Sequence, residues 1–143
     1  MTHISARLRQ AVLERAGNCC EYCLKSQQDS RFTFHIEHII AEKHGGKTKL
    51  DNLGLSCPQC NAFKGSDVGS YDRKTGLLTP LFNPRKQNWS DHFQLNSVLI
   101  KPLTAQGRVT VRLLQLNRPE HLVERALLIR LGRYPCQKEE RAR

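Results

Sequence analysis

Two cysteine pairs constrain this chain more than any other feature of its 143 residues. Cys20 and Cys23 form one Cys-x-x-Cys motif, Cys57 and Cys60 form a second, and 33 residues separate the two motifs. A two-residue gap lets both thiolates of one turn face the same point, and two such turns complete a tetrahedron around zinc. The spacing therefore predicts a closed, structural Zn²⁺ site. The alternative, four ordinary buried cysteines, leaves the repeated gap unexplained.

The other two cysteines are Cys19 and Cys136. Cys19 is an alternative ligand to Cys20, although only Cys20 gives the two-residue gap, and Cys136 has no partner motif and is predicted to be a free thiol. The N-terminal sequence lacks the apolar core of a signal peptide, and no apolar run approaches the length of a membrane span. These absences predict a cytoplasmic protein, in which disulfides are not expected. A secreted, disulfide-bonded protein is the alternative.

Hydrophobic periodicity predicts an α+β fold in which the cysteine pairs staple a small core. The predicted elements are a helix over 6–16 between Ser5 and Gly17, a strand over 32–40, a short strand over 53–56 and a short helix at "CNAFKG". We expect residues 1–65 to form this core with its N-terminal helix. Residues 66–143 are expected to pack on it as one unit.

The C-terminal segment is predicted to add strands and a basic helix. A hairpin turn is expected at "DRKTG", and two or three antiparallel strands are expected after Asp91, with a turn at Gln106 and Gly107. Asn117 is the predicted cap of a final helix that Gly132 ends. Residues 136–143 are predicted to be disordered.

The charge of the chain indicates a polyanionic partner. Lysine and arginine total 23 against 13 acidic residues, which gives a formal charge of +10 and a sequence pI near 9.7. Residues 101–143 alone carry 10 basic and 4 acidic side chains. A nucleic acid is the partner that such a surface favours, whereas a solvated basic surface without a partner is the plainer alternative.

Polar residues between and after the cysteine pairs resemble a known motif. Glu37 and His38 end the predicted strand, Asn52 precedes a leucine after a glycine pair, and Asn61 follows the last cysteine. The stretch "HIEHIIAEKHGG…LDNLGLSCPQCNAFKG" resembles the HNH endonuclease family, in its four-cysteine zinc subtype, over residues 20–65. The chain is similar to small bacterial, especially cyanobacterial, HNH proteins. The resemblance implies a ββα-metal, treble-clef-like core and hydrolysis of phosphodiester bonds in DNA, with double-stranded DNA as the expected substrate.

The chemistry of this motif requires a base and a divalent ion. His38 is the residue whose ordinary pKa lets it accept a proton from water at neutral pH, so it is the predicted general base. The resemblance implies that Glu37 and Asn61 bind one Mg²⁺ or Mn²⁺ and that Asn52 holds the loop and the His38 ring. The acid of this family is more often aspartate, which leaves the preferred ion open. A turn or bulge is expected, because neighbours on a regular strand point to opposite faces.

Further contacts to nucleic acid are predicted outside the motif. Lys64 is expected either to contact phosphate or to be a solvated lysine. Six C-terminal arginines are candidates to extend the basic track, namely Arg108, Arg112, Arg118, Arg125, Arg130 and Arg133. Several of them are expected instead to be ordinary outward-facing helix and strand residues. Trp89 is predicted to anchor the core rather than to stack on a base. The competing function is a zinc-ribbon module that binds nucleic acid without catalysis, and the oligomeric state is left open.

Overall fold

The structure, a computed structural model, describes residues 2–138. The predicted α+β class is confirmed, since helices alternate with three two-stranded antiparallel sheets in this part of the chain. In chain order the elements are α1 (Ala6–Ala16), β1 (His35–His38), β2 (Leu53–Ser56), α2 (Pro58–Lys64), β3 (Gly69–Tyr71), β4 (Leu78–Pro80), α3 (Trp89–His92), β5 (Phe93–Asn96), β6 (Leu99–Pro102), α4 (Ala105–Leu113) and α5 (Pro119–Arg130). Within residues 2–138, no helix has the length and apolar character that a membrane span requires.

The first helix forms as its capping residues predict. The Ser5 hydroxyl accepts a hydrogen bond from the backbone N–H of Leu8 at 3.1 Å, which satisfies one of the free donors of the first turn. Gly17 follows the helix in the left-handed conformation, with φ of 63°. Val12 and Ala16 are buried on the face that packs toward β2. This packing places α1 beside the ββα core.

Strands β1 and β2 and helix α2 form the predicted ββα unit. His35 pairs with Ser56 and His38 pairs with Leu53, so the antiparallel register is regular. The predicted strand over 32–40 is shorter than expected. The strand begins later than predicted because the backbone N–H of Phe34 donates a hydrogen bond to the Gln27 side-chain oxygen at 2.7 Å. That N–H is therefore not available to pair in a longer strand.

The C-terminal segment confirms two hairpins and corrects a third strand. β3 and β4 flank the predicted "DRKTG" turn, and β5 pairs with β6. The expected turn at Gln106 and Gly107 is wrong, because both residues lie in α4, which Thr104 caps by accepting a hydrogen bond from Gly107 N–H. A Cβ at Gly107 would lie 2.3 Å from the carbonyl oxygen of His92, so glycine here permits close helix packing rather than a turn.

The N-cap of the final helix lies one residue later than predicted. Arg118 is the N-cap residue of α5 and provides no side-chain capping bond. The Asn117 side chain instead accepts from the N–H of Ile100 and donates to its carbonyl oxygen, both at 2.9 Å. Asn117 therefore ties β6 to the chain before α5. Gly132 follows the helix with φ of 71°, as predicted for its end.

One hydrophobic core, among the described residues, takes side chains from both halves of the chain. Tyr22 and Phe34 come from the first 65 residues, whereas Phe82 and Phe93 come from the second segment, and each is at most 2% exposed. Trp89 packs against this core as predicted, and its indole N–H donates to the carbonyl oxygen of Tyr22 at 2.8 Å. The division at residue 65 stays a prediction.

The prediction that Cys136 is a free thiol is wrong, and so is the expectation that the chain forms no disulfide. The two residues form a disulfide with their Cα atoms 5.7 Å apart, so Cys136 is not a free thiol and Cys19 does not replace Cys20. The backbone N–H of Cys136 also donates to the carbonyl oxygen of Leu24 at 2.8 Å, so the predicted disorder does not begin there. Residues 139–143 lie outside the described part of the chain. Local spacing could not reveal a pair separated by 117 residues.

Replacement of Cys136 by serine is expected to destabilise the oxidised protein by about 2–4 kcal/mol, because a long cross-link restricts the unfolded chain. Urea denaturation without reductant, followed by circular dichroism, measures this change. Gln137→Ser changes an exposed neighbour and serves as the control. Equal unfolding midpoints for wild type and Cys136→Ser would contradict the cross-link.

Candidate active site and metal centre

The four motif cysteines converge on one point. The Sγ atoms of Cys20, Cys23, Cys57 and Cys60 all lie within 4.8 Å of one another, and all four residues are buried. A tetrahedron with Zn–S bonds of about 2.3 Å has sulfur–sulfur edges of about 3.8 Å. The Sγ atoms of Cys23 and Cys57 are 3.7 Å apart. The donor set and its size therefore fit the predicted structural zinc.

Local backbone geometry aims the thiols inward. In the first turn, Leu24 adopts the left-handed conformation with φ of 65°, and the N–H of Cys20 donates to the carbonyl oxygen of Lys25 at 2.8 Å. In the second turn, Cys57 is the N-cap of α2, and its Sγ accepts from the N–H of Cys60 at 3.4 Å. Pro58 at the first position suits this helix start, because the missing N–H has no partner there.

Hydrogen bonds among the buried cysteines give their thiols different pKa values. Hydrogen bonds from the side chains of Cys20, Cys23 and Cys60 stabilise the thiolate of Cys57 and hold its pKa far below the usual range. Hydrogen bonding to the neighbouring cysteines and burial raise the pKa of Cys23 and Cys60. One thiolate is thus favoured at the expense of the others. A bound cation is the physical means by which all four can be ionised together.

A groove with a volume of about 1090 Å³ runs along β1 and contains several of the predicted catalytic residues. Glu37, His38 and Asn61 all line it. No bulge brings Glu37 and His38 together, contrary to expectation, because the β1–β2 register is regular. β1 pairs on one side only, and residues from both of its faces line the groove.

His38 is held by a residue that the sequence analysis missed. Its Nε2 lies 2.8 Å from the Thr48 hydroxyl oxygen and 4.0 Å from a carboxylate oxygen of Glu42. The His38 side chain is 10% exposed. Hydrogen bonding occupies Nε2 alone, so the second ring nitrogen has no hydrogen-bond partner among residues 2–138. Thr48 carries no motif signal, because only the folded loop brings it to His38.

Asn52 closes the loop between the two strands. Its side chain accepts from the N–H of Ile40 and donates to the carbonyl oxygens of Ile40 and Lys47, at 2.9–3.0 Å. The close approach requires Gly46, because a Cβ there would lie 1.7 Å from the Ile40 oxygen. No contact between the Asn52 and His38 side chains is present, and the loop that Asn52 closes also carries Thr48.

Lys64 lies in the interior, not on the surface, so it provides neither the predicted phosphate contact nor a solvated charge. Only 1% of its surface is exposed. Its ammonium is 3.3 Å from a carboxylate oxygen of Glu37 and donates to the carbonyl oxygen of Ile39 at 2.9 Å. A buried ammonium needs such partners, because desolvation of an unpaired charge is costly. Lys64 therefore joins α2 to the end of β1.

Glu37 has the most constrained carboxylate in the groove. It is 6% exposed, and its second oxygen accepts a short hydrogen bond from the Tyr22 hydroxyl. Burial raises the pKa of Glu37, whereas the nearby Lys64 ammonium opposes that shift. The Asn61 side chain, in contrast, has no hydrogen-bond partner among the described residues. A divalent ion held by this pair would share Glu37 with Lys64 and would take its remaining ligands from water and phosphate.

Arg9 supplies the groove with a cation that the motif analysis did not identify. It is the one arginine or lysine among the groove-lining residues in the described chain, and no ion pair within residues 2–138 neutralises it. Its place on α1, outside the motif region, explains why motif spacing could not find it. Among the described residues, the groove thus combines three histidines, two carboxylates, a free amide and a free guanidinium.

The C-terminal arginines are mostly engaged within the protein. Arg125 is 4% exposed and donates to the backbone carbonyls of Val98 and Leu116. Arg133 pairs with Asp29 at 2.9 Å. Arg108 and Arg112 also have protein partners, but both remain partly exposed on α4. The predicted track is therefore not a continuous row of free arginines.

Comparison with known proteins supports the motif. The family model described as HNH endonuclease matches residues 20–67, which confirms the predicted resemblance over this segment. The chain is also 29% identical over 125 residues to the Septu protein PtuB of Bacillus thuringiensis, an alignment that covers 85% of the chain. The chain spans 46% of the length of that relative. No solved structure gives a significant match.

Removal of zinc is expected to unfold the core, because a structural zinc contributes on the order of 10 kcal/mol to folding. A strong chelator should lower the melting temperature and release one zinc per chain, as measured by differential scanning fluorimetry and by a metal-sensitive dye. Cys57→Ser should reproduce the loss of stability. A melting curve that chelation leaves unchanged would contradict the site.

Proposed function

We propose that the protein is a metal-dependent HNH endonuclease that hydrolyses phosphodiester bonds in DNA. The observation that carries this proposal is that Glu37, His38 and Asn61 all line one groove, and that all three lie within the segment that matches the family model. The four-cysteine cluster holds the ends of this segment together. Double-stranded DNA is the substrate that we propose, in keeping with the net charge of +10.

His38 acts as the general base in this proposal. A proton on Nε2 is donated to the Thr48 hydroxyl oxygen at 2.8 Å, which leaves the other ring nitrogen to accept a proton from the attacking water. Thr48 is thus a positioning residue that orients the imidazole ring through this contact. The Glu42 carboxylate lies 4.0 Å from the same ring nitrogen, Nε2. Asn52 acts through the loop, which it holds closed around Thr48.

Glu37 and Asn61 would hold one Mg²⁺ or Mn²⁺, since both provide the oxygen ligands that such ions prefer. The ion would neutralise the charge that develops on the phosphate and on the leaving oxygen. Lys64 lowers the pKa of Glu37 and so opposes the larger upward shift that burial causes. Arg9, free on the groove wall, contacts a phosphate oxygen of the bound strand.

The catalytic role of His38 is tested with supercoiled plasmid and Mg²⁺ or Mn²⁺. His38→Ala should reduce the rate of cleavage by at least about 100-fold, which is the range for loss of a general base. His44→Ala is the matched control, because His44 is an exposed histidine outside the groove. If His38→Ala cuts as fast as wild type, the assignment fails.

The competing function, a zinc-ribbon module that binds nucleic acid without catalysis, has one observation in its favour. Both carboxylate oxygens of Glu37 already have protein partners, Tyr22 and Lys64. If neither Mg²⁺ nor Mn²⁺ supports cleavage, while binding to DNA weakens steeply with salt, the module is the correct description.

Replacement of Arg9 by glutamine should reduce the rate of cleavage roughly tenfold. It should also reduce the slope of log K against log salt for DNA binding by about 0.9, which is the contribution of one phosphate contact. Arg7→Gln on the same helix is the control, because Arg7 is exposed but does not line the groove. Cleavage rates and binding slopes would be measured on one duplex. Equal effects of the two substitutions would show that Arg9 contributes only general charge.

A further inference from the structure

A second basic cleft lies outside the catalytic groove. The turn between β3 and β4 packs against α4 and encloses a volume of about 260 Å³. The cleft is lined by Asp72, Arg73, Lys74, Arg108, Val109 and Arg112. None of these residues lines the groove that contains His38. The cleft also lies outside residues 20–67, where the family model matches.

The rear of the cleft is built from ordered guanidinium groups. Asp72 is 1% exposed and receives two hydrogen bonds from Arg108, each at 2.9 Å. Arg108 holds the pKa of Asp72 well below its usual range, so this carboxylate stays ionised. Arg112, four residues later on the same helix face, donates to the carbonyl oxygen of Tyr71 at 2.6 Å. Both arginines are therefore fixed in place before any ligand binds.

The front of the cleft carries cations that the protein does not neutralise. Arg73 and Lys74 are exposed in the hairpin turn and form no hydrogen bond or ion pair within residues 2–138. Four cationic side chains thus face one carboxylate, which Arg108 already engages through both oxygens. This excess of positive charge is electrostatically unfavourable in the free protein, and a bound anion would reduce the repulsion between the cations. The partial exposure of Arg108 and Arg112 leaves them within its reach.

We propose that this cleft binds the phosphodiester backbone of duplex DNA away from the bond that is cleaved. The proposal rests on the proposed function, because the partner is the same DNA. Arginine and lysine contacts to phosphate carry affinity without sequence information. The cleft would thereby add affinity to a catalytic groove that has one free guanidinium.

The test is the salt dependence of binding to a labelled duplex about two helical turns long, measured by fluorescence anisotropy without added divalent ion. Each phosphate contact contributes about 0.9 to the slope of log K against log salt. Arg73→Gln combined with Lys74→Gln should therefore reduce the slope by about two and weaken binding roughly tenfold near physiological salt. Both side chains are exposed in a turn, so thermal melting should be unchanged.

A matched pair of substitutions separates the cleft from general charge. Lys101→Gln combined with Arg31→Gln removes the same charge from exposed sites outside the cleft and the groove. This pair should retain a slope close to that of wild type. Equal losses for the two pairs, no loss for either, or a loss seen only with duplex RNA would each overturn the proposal. This assay measures binding and does not depend on cleavage. Its result can therefore be interpreted even if the protein is inactive in the plasmid assay.

Discussion

The convergence of four thiols is the constraint on which the other parts of the structure depend. Cys20 and Cys23 follow α1, whereas Cys57 and Cys60 open α2, so the cluster fixes the start and the end of the segment that carries the groove. The chain between them needs no long-range sheet, because β1 and β2 form a ribbon of only two strands. A structural zinc held by these thiols would compensate for the small hydrophobic core that a chain of this size can bury.

Buried polar contacts connect the elements around the cysteine cluster to the groove. The buried pair of Lys64 and Glu37 connects α2 to β1, and Asn52 closes the loop that returns to β2. Each of these contacts satisfies a polar group that burial would otherwise penalise. Two groove-lining side chains, the Asn61 amide and the Arg9 guanidinium, have no protein partner among residues 2–138. These two groups are available to a ligand, whereas Glu37 and His38 already have protein partners in the groove.

Local patterns predicted what depends on local physics. The capping of α1 by Ser5, its end at Gly17 and the cysteine spacing follow from neighbours in sequence. Predictions failed where a distant partner decides the outcome: Lys64 is buried by β1, and Cys136 pairs with Cys19 across the chain. Gly107 was misleading for the same reason, since its small size serves the contact with His92 rather than a turn. Thr48 and Arg9 have no spacing signal and become visible only in the folded groove.

The link between Cys19 and Cys136 closes most of the described chain into a covalent ring. A protease that cuts the exposed turn at residues 73–78 would open this ring without releasing a fragment, because both products remain joined through the disulfide. The Tyr134 hydroxyl, which donates to the carbonyl oxygen of Cys23 at 2.6 Å, holds the same two regions together by a non-covalent contact. A nicked molecule would keep its C-terminal segment seated on the cysteine turn, and electrophoresis would separate its pieces only after reduction.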